Sequence, residues 1–137
     1  MSRKGEKELN MKKEIVISIF VVILIIVLNI ITQTNIKETY AQLEDNLIQL
    51  KENMKNNNDD FVKKQIQSIE NQWTENYEKL AYYVEHEELE KVETQIVKLK
   101  ANIDTKEYNV GIENLDTCIY ILQHIKDKNA LKIVNIF

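Results

Sequence analysis

Residues 15–31, IVISIFVVILIIVLNII, are seventeen consecutive positions at which only Ser18 and Asn29 are polar, and that run decides where the rest of the chain can go. A surface helix of a globular protein carries an apolar stripe, whereas this run is apolar on every side, the pattern of a membrane span. At about 1.5 Å per residue it covers roughly 26 Å, a little under the ~30 Å hydrocarbon core. Thr32 and the aliphatic stems of Lys12 and Lys13 make up the difference. A cleaved secretory signal is the competing reading, since a basic segment precedes the run. The run exceeds a usual signal core, and Thr32, Gln33, Thr34 and Asn35 behind it offer no small-x-small cleavage site. The chain therefore reads as an uncleaved signal anchor over residues 14–33, preceded by a basic tail (1–13) and followed by one domain (34–137).

Charge orients the anchor. Arg3, Lys4, Lys7, Lys12 and Lys13 precede it against Glu6, Glu8 and Glu14, while thirteen Lys face nineteen Asp and Glu behind it, a balance of 13 − 19 = −6. Basic flanks stay cytoplasmic, so the N-terminal tail is expected inside and the long C-terminal part outside the membrane. An acidic outer domain excludes nucleic acid as a partner, because phosphates would be repelled. The single Cys118 cannot close an internal disulfide and reads as a small core residue.

About a hundred residues are enough to bury one core without disulfides or metal. Proline is absent and glycine occurs only at Gly5 and Gly111, so nothing punctuates the chain as in a β protein, and the fold class is all-α. Residues 1–10 are charged and aperiodic, expected without regular structure. Behind the span, Ile36, Tyr40, Leu43, Leu47, Leu50 and Met54 recur at steps of 4, 3, 4, 3 and 4, a heptad seam. Span and seam read as one rod of about 60 Å, from about 40 residues at 1.5 Å each.

Asn56, Asn57 and Asn58 mark a break, and Asp59 or Asp60 is placed to cap the second helix, whose inner face is Val62, Ile66, Ile69, Trp73, Tyr77, Leu80 and Val84. After a second break at residues 85–87, Leu89, Val92, Ile96, Leu99 and Ile103 repeat the spacing. Asp104-Thr105-Lys106-Glu107 has the form of a capping box opening a fourth helix, which buries Tyr108, Ile112, Leu115, Ile119, Leu122 and Ile125 with Cys118 beside them. Gly111 lies one turn inside that helix, where it costs up to ~1 kcal/mol against Ala unless a neighbouring helix approaches closely. Residues 130–137 are too apolar for solvent and read as a short C-terminal helix folded onto the bundle. The architecture expected is an N-terminal transmembrane helix continuing into an antiparallel four-helix bundle with a short C-terminal helix.

Candidate chemistry is sparse. His86-Glu87-Glu88-Leu89-Glu90 begins like a zinc-protease helix but has Glu90 where the second His is required, leaving at most a weak i, i+4 pair. Ser68 is the one serine outside the tail and the apolar run, on a helix with no loop to expose it. Gly111 stands alone, so no glycine-rich phosphate loop exists. No catalytic, cofactor or metal residues are assigned. The residues singled out for interaction are Trp73, Tyr77, Tyr82, Tyr83 and Phe137, aromatic side chains on or off the second seam and at the chain end.

The stretches WTENYEKLAYYVEHEELEKVETQIVKLKANI and LQHIKDKNALKIVNIF resemble a small family of bacterial single-pass membrane proteins, classed as a domain of unknown function and found mainly in anaerobic spore-forming Gram-positive organisms. The resemblance runs from Lys12 to Phe137 and implies topology but no activity, substrate or cofactor. The family's genes lie near those of multi-span membrane proteins, which implies an accessory role. Two functions fit. One is a membrane-anchored extracytoplasmic module that binds another membrane or envelope protein, or a second copy of itself, without catalysis. The other is a bundle that senses a small molecule and signals through a companion membrane protein.

Overall fold

The computed structural model describes residues 3–134, which form four α-helices joined by three turns of three or four residues: α1 (Arg3–Lys55), α2 (Asp59–Ala81), α3 (His86–Asp104) and α4 (Tyr108–Val134). The chain divides into two compact units, Met1–Ile36 and Lys37–Phe137.

The first unit is helical from Arg3 onward. Residues 3–10, expected to lack regular structure, are turns of α1, because Lys and Glu are good helix formers and no proline interrupts them. Large apolar side chains along residues 15–31 are open to their surroundings, Phe20 by 66% and Leu28 by 56%. Within the run, Ser18 Oγ donates to the Glu14 carbonyl at 2.9 Å, which satisfies the hydroxyl without a second helix. This is one helix long and apolar enough to cross a membrane.

In the second unit the seams pack against each other. Tyr40, Leu43, Leu47, Leu50 and Met54 of α1 are buried within the chain's own core, with Val62, Ile66, Ile69, Trp73 and Leu80 of α2 and Leu89, Val92, Ile96, Leu99 and Ile103 of α3. Polar pairs across the seams fix the order and direction of the helices. Asn46 Nδ2 donates to Gln72 Oε1 (2.8 Å) and Asn53 Nδ2 to Gln65 Oε1 (2.9 Å), so α1 and α2 run antiparallel. Lys51 meets Asp116 at 2.7 Å and Gln123 donates to Glu44 at 2.8 Å, so α1 and α4 are also antiparallel neighbours. Glu70 with Lys100 (3.0 Å), and Lys128 with Glu85 (3.3 Å), set α3 between α2 and α4. The result is an up-down-up-down four-helix bundle.

The α4 seam differs from expectation by one position per heptad. Tyr108, Gly111, Leu115, Cys118, Leu122 and Ile125 are buried at steps of 3, 4, 3, 4 and 3, while Ile112 and Ile119 lie half-buried on the flank. Two small residues therefore take inner positions, and α4 approaches α3 closely there. A Cβ added at Gly111 would lie 3.3 Å from Asn102 Cβ and 2.7 Å from Met54 Cε, the close approach that its position in the helix called for. The fourth helix also continues through residues 127–129 into the stretch from residue 130 that was expected to form a separate short helix. The described part of the expected C-terminal helix is thus the last turn of α4, and residues 135–137 lie outside the described region.

The turns close differently from the capping motifs read in the sequence. Asn57 (φ 53°) and Lys106 (φ 56°) are left-handed. At the first turn, Asn58 N–H donates to the Asn53 carbonyl (3.0 Å) and Asn57 N–H to Met54 (3.2 Å). At the other, Glu107 N–H donates to Asn102 (2.8 Å) and Lys106 N–H to Ile103 (3.1 Å). Both are Schellman closures, in which two otherwise orphaned carbonyls are satisfied. Asp104 is consequently the last residue of α3, and Thr105 Oγ1 donates back to the Ala101 carbonyl at 3.1 Å instead of opening α4. Asn58 occupies the N-cap of α2 without a side-chain bond, and Asp59 sits in the first turn with its carboxylate turned to other partners.

Candidate interaction surface

A partner needs accessible surface, so the burial of each singled-out aromatic decides its role. Trp73 is 4% exposed and belongs to the core; it packs edge-on against Tyr77 with ring centroids 5.9 Å apart and offers no surface to a partner. Tyr77 is half-buried beside it, and its hydroxyl meets His86 Nδ1 at 3.1 Å. Burial raises the Tyr77 phenol above its ordinary value, with smaller contributions from Glu93 and Glu90. The other imidazole nitrogen, Nε2, lies 3.0 Å from Glu90. His86 and Glu90 thus form an i, i+4 pair, and among the described residues no group of three or more His, Cys, Asp and Glu converges to hold a metal.

Tyr82 and Tyr83 are the accessible members. They occupy the α2–α3 turn, 84% and 47% exposed, with ring centroids 6.5 Å apart. Their exposure follows from the local chain: the Tyr83 and Val84 N–H groups donate to the Leu80 carbonyl (3.0 and 2.9 Å) as α2 unwinds, Leu80 and Val84 turn inward, and the three residues between, Ala81, Tyr82 and Tyr83, are left outside. A shallow groove of about 400 Å³ runs past Tyr77, Glu78, Ala81 and Tyr82. Phe137 lies outside the described residues. Exposed apolar side chains that the seam pattern did not single out are spread over the helices, among them Tyr120 (70%) and Leu131 (64%) on α4, Phe61 (62%) on α2 and Val97 (59%) on α3.

Ser68 lines a polar groove of about 470 Å³ with Asn46, Lys64, Gln72 and Glu75, and no histidine borders it. Cys118 is fully buried, and burial pushes its thiol up to about 12, which keeps it protonated and unreactive at neutral pH. At the opposite end of the bundle from Tyr82, Tyr108 Oη donates to Asp59 Oδ1 at 2.6 Å and Lys106 Nζ lies 3.2 Å from Asp59 Oδ2. The tyrosine hydrogen bond, then the lysine, hold the Asp59 carboxyl below its ordinary value, while burial raises the Tyr108 phenol to about 12. These groups tie the start of α2 to the start of α4 across the bundle end, a structural task.

A family model described as a domain of unknown function (DUF4363) matches residues 30–136. The chain belongs to the DUF4363 family. The match begins at Ile30, not at Lys12 as the sequence resemblance implied, so what identifies DUF4363 here is the bundle and its approach, with the apolar run almost wholly outside. No curated protein and no solved structure matches this DUF4363 chain.

Proposed function

We propose that this DUF4363 protein is a single-pass membrane protein whose helical bundle lies outside the cytoplasmic membrane and serves as a non-catalytic interaction module for another membrane or envelope protein or for a second copy of itself. The observation that carries the reading is the apolar run at residues 15–31, whose large side chains are exposed around the whole helix while the bundle buries its own seams. In water that helix would leave unburied apolar surface that only lipid or another apolar helix removes. The basic residues before the run orient the N-terminal side inward. With its α1 seam satisfied internally, the bundle is free to meet a partner through its outer faces. Crosslinking in intact membranes followed by purification of the tagged chain is expected to recover a defined partner or oligomer. A clean monomer in mild detergent with nothing attached refutes the interaction role.

A second reading, a bundle that takes up a small molecule and signals through a companion membrane protein, draws on four buried polar atoms, two in the core and two on half-buried residues at its flank. Tyr40 Oη, Trp73 Nε1, Gln95 Oε1 and Asn129 Nδ2 are buried without a hydrogen-bond partner. Each such group disfavours the closed state by about 1–3 kcal/mol, a cost that a ligand pairing with them would remove. Thermal-shift screening of the full chain in detergent against metabolites separates this reading, since a ligand bound to the folded state raises the melting temperature.

A further inference from the structure

We infer that Tyr82 and Tyr83 form an interfacial foot that seats the bundle end on lipid headgroups. The inference rests on the membrane-anchor reading and adds to it a contact outside the anchor itself. Cross-bundle pairs place the foot. Glu44 is level with Gln123, Asn46 with Gln72, and Glu85 with Lys128, so the α2–α3 turn lies at the bundle end where the chain enters at Lys37. Counting back along the antiparallel α1–α2 register, in which 46 pairs with 72 and 53 with 65, Tyr82 falls level with residue 36. Five residue-to-residue steps separate position 36 from Ile31 at the end of the apolar run, and a chain of that length spans at most about 18 Å. Connectivity alone therefore keeps this end near the headgroup layer, which extends several Å beyond the hydrocarbon.

The chemistry at that end suits the layer. Tyrosine carries an apolar ring and a polar hydroxyl, the combination enriched where lipid meets water. Tyr82 has the largest exposure of the described large apolar side chains, and Leu131, on the last turns of α4, is exposed at the same end. Three of the neighbouring carboxylates are engaged: Lys128 lies 3.3 Å from Glu85 and 3.8 Å from Glu88, and Lys91 lies 3.2 Å from Glu87, which reduces repulsion from anionic headgroups, while Glu78 lines the groove beside Tyr82.

The test uses the full chain reconstituted into phosphatidylcholine vesicles containing phosphatidylglycerol. An environment-sensitive fluorophore is attached at Tyr82→Cys or, as the far-end control, at Phe61→Cys, each with Cys118→Ala. Both labelled positions are exposed, so labelling leaves the core intact. Headgroup-attached nitroxide lipids are expected to quench the label at position 82 several-fold more than at position 61. Equal quenching in vesicles that carry the protein on flotation overturns the foot and leaves the anchor standing. Failure of the protein to float overturns both. In the unmodified chain, nitration by a water-soluble reagent should be several-fold slower at Tyr82 and Tyr83 than at Tyr120 once the protein is in vesicles. Equal rates overturn the proposal independently of the labelled variants.

Discussion

Gly111→Ala should lower the stability of the bundle even though alanine is the better helix former. Replacing glycine inside a helix gains about 1 kcal/mol from propensity. Against this, the new methyl would sit 2.7 Å from Met54 Cε and 3.3 Å from Asn102 Cβ. Ordinary carbon contacts lie near 3.5–4.0 Å, so the Met54 methyl must retreat by about 1 Å and α3 by a few tenths. Met54 is flexible but only 1% exposed, and its methyl has to find room inside a filled core. Asn102 is pinned twice, by Asn114 Nδ2 donating to its side-chain oxygen at 2.7 Å and by Glu107 N–H donating to its carbonyl at 2.8 Å. Overpacking costs about 1–3 kcal/mol, which exceeds the propensity gain and leaves a net loss of about 1 kcal/mol.

A double-mutant cycle isolates the clash. Met54→Ala alone should cost about 2–5 kcal/mol through the cavity it leaves. In that background the principal obstacle is gone, and Gly111→Ala should become neutral to stabilising by up to ~1 kcal/mol, a coupling of about 1–2 kcal/mol. The assay is denaturant unfolding of the full chain in mild detergent, followed by helical circular dichroism. If Gly111→Ala stabilises the parent chain as much as the Met54→Ala chain, close helix approach is not why glycine occupies this position, and the derivation fails.

Trp73→Ala should cost about 3–5 kcal/mol in the same unfolding assay, whereas Tyr82→Ala should stay within about 0.5 kcal/mol, because one ring is core and the other surface. Lys106→Gly relieves a left-handed backbone and should stabilise by up to ~1 kcal/mol even with loss of the exposed contact to Asp59, while Lys106→Val should destabilise. Cys118 should resist thiol reagents until the chain is unfolded. Its thiol and the Tyr108 phenol are raised from 9.0 and 10.0 to about 12 each, so their stabilisation is intact below the ordinary values and is lost as pH rises toward 12; the unfolding midpoint should fall across that alkaline window. Asp59 shifts the other way, so its contribution is present above its ordinary value of 3.8 and disappears as pH falls through the lowered folded value; Tyr108→Phe should weaken that acid dependence.

Heptad spacing made the bundle legible because a seam of period 3.5 needs facing seams, and three of the four were read nearly residue for residue, the exceptions being Ile36 at the margin of α1 and Tyr77 within α2, both only half-buried. The fourth was misread for a physical reason. Ile112 and Ile119 are larger and more apolar than Gly111 and Cys118, so composition drew the seam through them. The spacing from Tyr108 through Leu115 to Leu122 is compatible with either pair. What settles it is the distance between α3 and α4, a tertiary quantity that small inner residues permit and that a single helix does not display. The turn at residues 104–107 failed for a related reason. Asp104-Thr105-Lys106-Glu107 is a good capping box in isolation, but Ile103 must stay on the α3 seam, and a Schellman closure through Lys106 reverses the chain without releasing it.

The same contrast governs which aromatics are available for contact. Trp73 and Tyr77 fall at seam spacing, and seam spacing is a statement about burial, so their chemical distinctiveness carries no information about a partner. Tyr82 and Tyr83 sit where α2 ends, between two residues that the core claims, Leu80 and Val84. A turn there needs polar, accommodating side chains, and nothing in the core requires aromatic rings. Two exposed rings at one bundle end therefore point outward for their explanation. The nearest apolar-to-polar boundary that chain connectivity offers is the end of the apolar run, which on the proposed anchor reading is where the chain would leave the hydrocarbon.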